Sequence, residues 1–181
     1  MVAIIGPETS EVAEFILHLG DAAQVPVVSF SVTSPFLSNH RFPYFVRMAH
    51  SDALQMQPIA ALIEAYGWKK VTVVYADDGF GSGAVLSLSD ALRDVGSEIG
   101  YRSVISPTAD QQSIREELYK LMTMESRVFV AFMPSDLSSK IFMKANEIGM
   151  MDSGYVWITT DEFTSLWDVM LNASSMTYMQ S

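Results

Sequence analysis

The segment of residues 68–83 constrains the fold of this chain more than any other. Residues 71–75 are β-branched and almost continuously apolar, as expected for a strand that is covered on both faces. Asp77, Asp78 and Gly79 then form a turn, and a helical pattern begins directly after it. Open α/β sheets bind ligands where strands end and helices begin. The segment therefore predicts a parallel sheet with a binding site among its loops.

The same alternation of strand and helix recurs along the chain. Short apolar runs predict strands at residues 2–5, 27–30, 44–47, 71–75, 98–105, 128–132 and 155–158. Helical spacing predicts two inner faces, formed by Val12, Phe15, Ile16 and Leu19 in the first helix and by Leu54, Ile59, Leu62 and Ile63 in the second. Asp52 and Asp110 are predicted to cap the helices that follow them. The order predicts an α/β fold, with parallel sheets and helices on both faces.

Composition excludes several classes of function. The net charge of −10 argues against nucleic acid as a partner, because phosphate binding needs a basic surface. The chain has no cysteine, and its three histidines show no metal-ligand spacing, so we predict no metal and no cofactor. The strand-end loops contain no histidine to act as a base, and the chain lacks nucleophile and phosphate-binding motifs. We therefore predict no catalytic residues and no enzymatic activity.

The beginning of the sequence predicts a fragment of a longer protein. No apolar run approaches the roughly 20 residues that span a bilayer. Residues 1–7 have no basic leading region and break at Gly6 and Pro7, so they do not form a signal peptide. They resemble instead a strand from the interior of a longer sequence.

The loops at the predicted strand ends are rich in hydroxyls and carboxylates. Hydroxyls beside helix starts suit a small carboxylate, and a carboxylate such as Asp77 or Asp161 suits an ammonium group. The ring of Phe80 can add a cation–π attraction of about 0.5–2 kcal/mol. These groups are complementary to a zwitterion such as a free amino acid. The alternative is that they serve only as helix caps.

Eight segments of the chain have sequences that can be compared with known families: residues 5–7, 25–30, 33–38, 44–47, 66–71, 78–81, 124–130 and 148–161. Together they resemble the receptor-family ligand-binding region, and within it the plant glutamate receptor-like channels. The resemblance runs from about residue 2 to residue 168 without large gaps. It implies the two-lobed fold of type I periplasmic binding proteins, here incomplete. Residues 1–50 would form part of the first lobe and residues 51–165 the second. Residues 166–181 would form either a tail or the start of the return crossover.

The resemblance also implies a function. It indicates the extracellular amino-terminal region of a ligand-gated, non-selective cation channel in the plasma membrane, with a cleft for a small molecule such as an amino acid. The implied partners are this ligand and other receptor subunits, in homo- or hetero-oligomers, and the membrane is reached only through missing parts of the chain. The alternatives are an assembly domain without a ligand and a soluble binding protein.

The family's ligand contacts carry over to five positions. Thr33 and, less closely, Ser10 match positions that bind the ligand carboxylate. Asp161 matches an ammonium contact, Phe80 an aromatic position that is Tyr in amino-acid-binding relatives, and Asp52 another cleft position. Separately, residues 172–174 form a glycosylation pattern, which predicts Asn172 as an acceptor in an extracellular protein.

Overall fold

Strands and helices alternate throughout the computed structural model, which describes residues 3–7, 9–35, 37–38 and 40–160. The strands are β1 (Ile4–Ile5), β2 (Val27–Ser29), β3 (Phe45–Arg47), β4 (Lys70–Ala76), β5 (Glu98–Ile105), β6 (Val128–Phe132) and β7 (Val156–Thr159). The helices are α1 (Ser10–Ala23), α2 (Ala53–Ala65), α3 (Gly79–Asp94), α4 (Gln111–Met122) and α5 (Ser135–Glu147). This architecture confirms the predicted α/β fold class.

The strands form two parallel sheets. The first has the order β1-β2-β3 and the second the order β5-β4-β6-β7. Every pair is parallel, so within each sheet the carboxyl ends lie on one edge. The chain leaves β4 for β5 on one side and later returns to β6 on the other. In parallel sheets such a reversal of strand order creates a crevice at the carboxyl edge.

The second sheet carries helices on both faces. Val71 and Val73 of β4 pack in a core with α2 and α3, whereas Val74 and Ala76 pack in a second core with α4 and α5. This burial on both faces explains why β4 has an almost continuous apolar pattern. Helix α2 belongs to the core of this second sheet although it follows β3 directly. The division into lobes at residue 50 stays a prediction.

Helix α1 shows that the predicted buried stripe of the first helix was wrong. Val12, Phe15 and Leu19 are 51%, 69% and 54% exposed. The side that faces the first sheet is made of Ala13, Leu17 and Gly20. Of the four predicted residues, only Ile16 packs against this core, and it is half-buried. The reason is close packing, since a Cβ added to Gly20 would lie 2.5 Å from the Val27 Cγ2 atom. Small residues let α1 approach β2, and the larger apolar stripe faces outward.

Helix α2 corrects two further predictions. Ile59 and Ile63 are buried as predicted, but Leu54 and Leu62 are exposed, and Met56 and Ala60 complete the inner face. Asp52 precedes this helix without capping it through its side chain. Its backbone is already helical, with φ −59° and ψ −23°, whereas side-chain caps form from an extended residue. The caps at Thr9, Asp78 and Asp110 do have extended backbones and accept a helix N–H, as predicted for Asp110.

The close approach of α3 to β4 gives a test of the fold. A Cβ added to Gly81 would lie 2.4 Å from the Ala76 carbonyl oxygen and 3.0 Å from Tyr75 Cδ2. We expect Gly81→Ala to destabilise the protein by about 1–3 kcal/mol, because the backbone of β4 has to shift. The measurement is the free energy of unfolding from urea denaturation.

Gly79→Ala is the matched control in the same helix. No atom of the described residues lies within 4 Å of a Cβ added to Gly79. This substitution should be neutral or stabilise by up to about 1 kcal/mol through the unfolded chain. Equal destabilisation by both substitutions would contradict the packing argument.

Candidate functional site

A cavity of about 290 Å³ lies where the two sheets bring their helix starts together. We call it the α1–α3 cavity; its lining residues are Ser10, Glu14, Ser34, Leu37, Arg41, Gly79 and Ser82. These residues all follow the carboxyl ends of β1, β2 or β4. The volume is at the lower end of the range for small-molecule sites, roughly 300–1,000 Å³. The location and size fit a small ligand.

The first wall of the cavity is the beginning of α1. Thr9 has an extended backbone, and its hydroxyl accepts a hydrogen bond from the Val12 N–H at 3.4 Å, which starts the helix. Ser10 and Glu14 then lie one helical turn apart, at positions i and i+4, and therefore on the same side. The helix thus presents a hydroxyl and a carboxylate to the cavity.

The second wall is the segment between β2 and β3, which supplies Ser34, Leu37 and Arg41. Buried Ser29 anchors its beginning: its hydroxyl donates to the Pro7 carbonyl at 2.8 Å and accepts from the Val32 N–H at 3.1 Å. These bonds join the loop after β1 to the loop after β2. The loops after β1 and β2, which lead to the first and second walls of the cavity, are therefore held together.

The third wall is the first turn of α3. Asp78 caps this helix by accepting the Gly81 N–H at 2.7 Å. The tight contact of Gly81 with β4 fixes the direction of the turn. Gly79 and Ser82, three residues apart, face the cavity. Asp78 already binds the Gly81 and Ser82 N–H groups, so the backbone donors that this wall can offer to negative charge are the N–H groups of Gly79 and Phe80.

Glu14 and Arg41 place opposite charges in the lining. Arg41 Nη2 lies 3.2 Å from Glu14 Oε1, and both side chains are about half exposed. Exposed pairs of this kind contribute about 0–1 kcal/mol, so the pair costs little to open. The guanidinium also lies over the Phe42 ring, 5.3 Å from its centroid, which favours its position by cation–π attraction. A zwitterion would find a partner for each of its charges here.

Thr33, Arg47 and Asp52 form a polar cluster behind the second wall, which we call the Asp52 cluster. The Asp52 N–H donates to the Thr33 carbonyl at 3.0 Å, and Arg47 Nη1 donates to the same oxygen at 3.1 Å. Burial raises the pKa of Asp52, while a hydrogen bond from the Thr33 side chain and the charge of Arg47 oppose the rise. Burial also lowers the pKa of Arg47, which the charge of Asp52 counteracts.

The predicted site residues are distributed between the cavity and its surroundings. Ser10 lines the cavity. Thr33 and Asp52 meet in the Asp52 cluster, where the Asp52 N–H donates to the Thr33 carbonyl. Thr33 precedes Ser34, which lines the cavity. Phe80 follows Gly79 but packs against the core of the second sheet. Asp161 and Asn172 lie outside the described residues. A ligand-binding role for the predicted residues stays a prediction.

Four polar lining residues were missed in the sequence, and two of them had a usable signal. Ser34 adjoins Thr33, and Glu14 follows Ser10 at the spacing of one helical turn. Arg41 lies in a long loop without any periodic pattern, so nothing in the sequence indicates its direction. Ser82 lies in a glycine-dense stretch where the first residue of the helix is ambiguous.

Among the residues that the structure describes, no helix combines the length and the apolar character needed to cross a membrane. Within the same residues, no group of His, Asp and Glu side chains is arranged to hold a metal ion.

The buried carboxyl of Asp52 gives a test by pH. Because its pKa is raised in the folded state, its stabilising contribution is fully present below the unfolded-state pKa and is lost as pH rises through the folded-state pKa. Asp52→Asn resembles the protonated form and cannot ionise. We therefore expect its free energy of unfolding to increase relative to that of the native protein between pH 4 and pH 7.

Urea denaturation at both pH values measures this difference. Asp94→Asn, at an exposed aspartate, is the control for the loss of one negative charge. A difference between Asp52→Asn and the native protein that stays constant with pH would show that the carboxyl is not destabilised by burial.

Comparison with known proteins identifies the family. The receptor family ligand binding region matches residues 1–181. Arabidopsis thaliana glutamate receptor 2.5 is 46% identical over 174 residues, which cover 96% of this chain and 19% of that receptor. Glutamate receptor 2.7 is 46% identical over 178 residues, 98% of this chain and 19% of that receptor. Glutamate receptor 2.3 is 48% identical over 159 residues, 88% of this chain and 18% of that receptor. The chain thus spans about a fifth of the length of these curated relatives, whose names describe receptors. It belongs to the family described as the receptor family ligand binding region.

Proposed function

We propose that this chain is part of the extracellular amino-terminal region of a plant glutamate receptor-like, ligand-gated, non-selective cation channel. The similarity to glutamate receptors 2.5 and 2.7 over almost the whole chain supports this parentage. In this proposal the region lies on the outer side of the plasma membrane, Asn172 is glycosylated, and the chain assembles with other receptor subunits. Residues 1–50 and 51–165 belong to the first and second lobes.

We further propose that the α1–α3 cavity binds a small zwitterion such as an amino acid. The observation that carries this proposal is the composition of the described part of the lining, in which hydroxyls, the cation of Arg41 and the anion of Glu14 face a common space. Glu14 would pair with the ammonium group. Arg41, the Ser82 hydroxyl and the N–H groups at the start of α3 would hold carboxylate oxygens. Ligand carboxylate and ammonium groups would replace a weak surface ion pair.

One observation favours a second candidate function, an assembly domain whose cleft holds no ligand. Helix α1 exposes Val12, Phe15 and Leu19 along one side. Grouped apolar side chains at a surface mark interaction sites more often than isolated ones do. A protein with this surface can also bind a ligand, so the two candidates differ only in whether the α1–α3 cavity binds one.

Calorimetric titration of the 181-residue chain with each of the protein amino acids separates the candidates. We expect saturable binding of at least one amino acid. Ser82→Ala should weaken that binding roughly tenfold or more, because it removes a hydrogen bond to a charged group, which contributes about 1.5–3 kcal/mol.

Ser89→Ala is the matched control, since it removes a hydroxyl from the same helix two turns beyond the cavity. It should leave the affinity unchanged. An absence of heat with every amino acid would refute ligand binding and favour the assembly domain. Equal losses in the two variants would contradict the assignment of the site to the α1–α3 cavity.

A further inference from the structure

Arg47 concentrates its hydrogen bonds on one short loop. From the end of β3, its guanidinium donates to the Thr33 carbonyl at 3.1 Å, to the Ser34 carbonyl at 2.7 Å, and to the Leu37 carbonyl. The guanidinium lies 5.8 Å from the centroid of the Phe45 ring, in cation–π contact. One side chain from a neighbouring strand therefore joins three carbonyls of the loop, which we call the 33–37 loop.

This loop forms part of the cavity wall. Ser34 and Leu37 line the α1–α3 cavity, and both are about 2% exposed. Their carbonyls need donors because a buried backbone acceptor without a partner costs about 1–3 kcal/mol. The Leu37 N–H donates to the Ser34 carbonyl at 3.2 Å, so that oxygen has two donors. The segment has no strand partner in the described structure, and Arg47 supplies the donors that a sheet would otherwise provide.

Strand pairing and a neighbouring carboxylate fix the position of Arg47. Arg47 is paired in register with Ser29, at the carboxyl ends of the parallel strands β3 and β2. Asp52 is buried and lies close enough to Arg47 for their charges to interact. The Asp52 N–H binds the same Thr33 carbonyl as the guanidinium does, so the loop is held from two directions.

We propose that Arg47 is a positioning residue of the α1–α3 cavity: by binding the carbonyls of Thr33, Ser34 and Leu37 it holds Ser34 and Leu37 in place as part of the cavity wall. The planar guanidinium is essential to this role because it directs several N–H groups at fixed angles. A lysine ammonium is a single point of positive charge and cannot serve three separated carbonyls in the same way. The effect on ligand binding rests on the proposed function, whereas the effect on the loop does not.

Amide hydrogen exchange of the 181-residue chain, followed by NMR, tests the positioning directly. Arg47→Lys keeps the positive charge beside Asp52 but removes the fork of donors. We expect exchange of the Leu37 and Asp52 amides, which donate to the Ser34 and Thr33 carbonyls, to become at least about tenfold faster. The amides of β4 should keep their native exchange rates.

The alternatives give different patterns. Arg102→Lys, on β5, is the matched control and should change neither the Leu37 nor the Asp52 amide. Unchanged exchange in Arg47→Lys would mean that only the charge matters, and it would overturn the proposal. Equal acceleration in β4 would also overturn it, because Arg47 would then support the whole fold rather than the loop.

Titration with the amino acid that binds the native chain provides the second readout. Arg47→Lys should weaken binding about tenfold although Arg47 does not line the α1–α3 cavity. Faster loop exchange with unchanged affinity would overturn the connection to the cavity. If the native chain binds no amino acid, the proposed function fails, and hydrogen exchange still decides whether Arg47 positions the loop.

Discussion

Parallel pairing of β4 with β5 and β6 is the constraint on which the rest of the second sheet depends. Parallel neighbours cannot be joined by a tight turn, so each connection has to cross a face of the sheet, here as a helix. These crossings cover β4 on both faces and bury its apolar side chains. They also place every helix start on the carboxyl edge. The location of the α1–α3 cavity is a direct consequence of this geometry, because each lining segment follows a strand end.

Much of the fold could be predicted from the sequence because periodicity reports the type of an element reliably. Residues 98–105 and 128–132 form strands with the predicted bounds. Periodicity could not decide which side of α1 is buried, because this helix has two apolar stripes. The wider stripe contains Phe15, and the narrower one contains Gly20. The close contact between Gly20 and Val27 favours the stripe with Gly20, and this contact depends on the distance between helix and sheet.

The candidate site was less predictable for a related reason. The sequence indicates which loops reach the carboxyl edge, and within the first of these loops the family resemblance points to Ser10. It does not fix the rotation of a helix start, and a shift of one residue decides whether Gly79 or Phe80 meets the cavity. Gly79, Gly81 and Gly83 occupy every second position there, so no side-chain periodicity marks the rotation of the helix. The direction of Arg41 depends on a long loop with its own hydrogen bonds, and no local pattern encodes it.

The buried polar groups behind the cavity raise the question of why an apolar core does not fill this space. Buried charges lose hydration, and well-packed apolar residues often replace an ion pair without loss of stability. Here, however, the buried acceptors are backbone carbonyls of the 33–37 loop, and they remain whatever side chains surround them. A hydrophobic residue in place of Arg47 would leave these oxygens without the donors it provides. The Asp52 cluster is therefore better explained by the needs of a buried loop than by attraction between its charges, and it allows an irregular segment to form an ordered wall beside a helix.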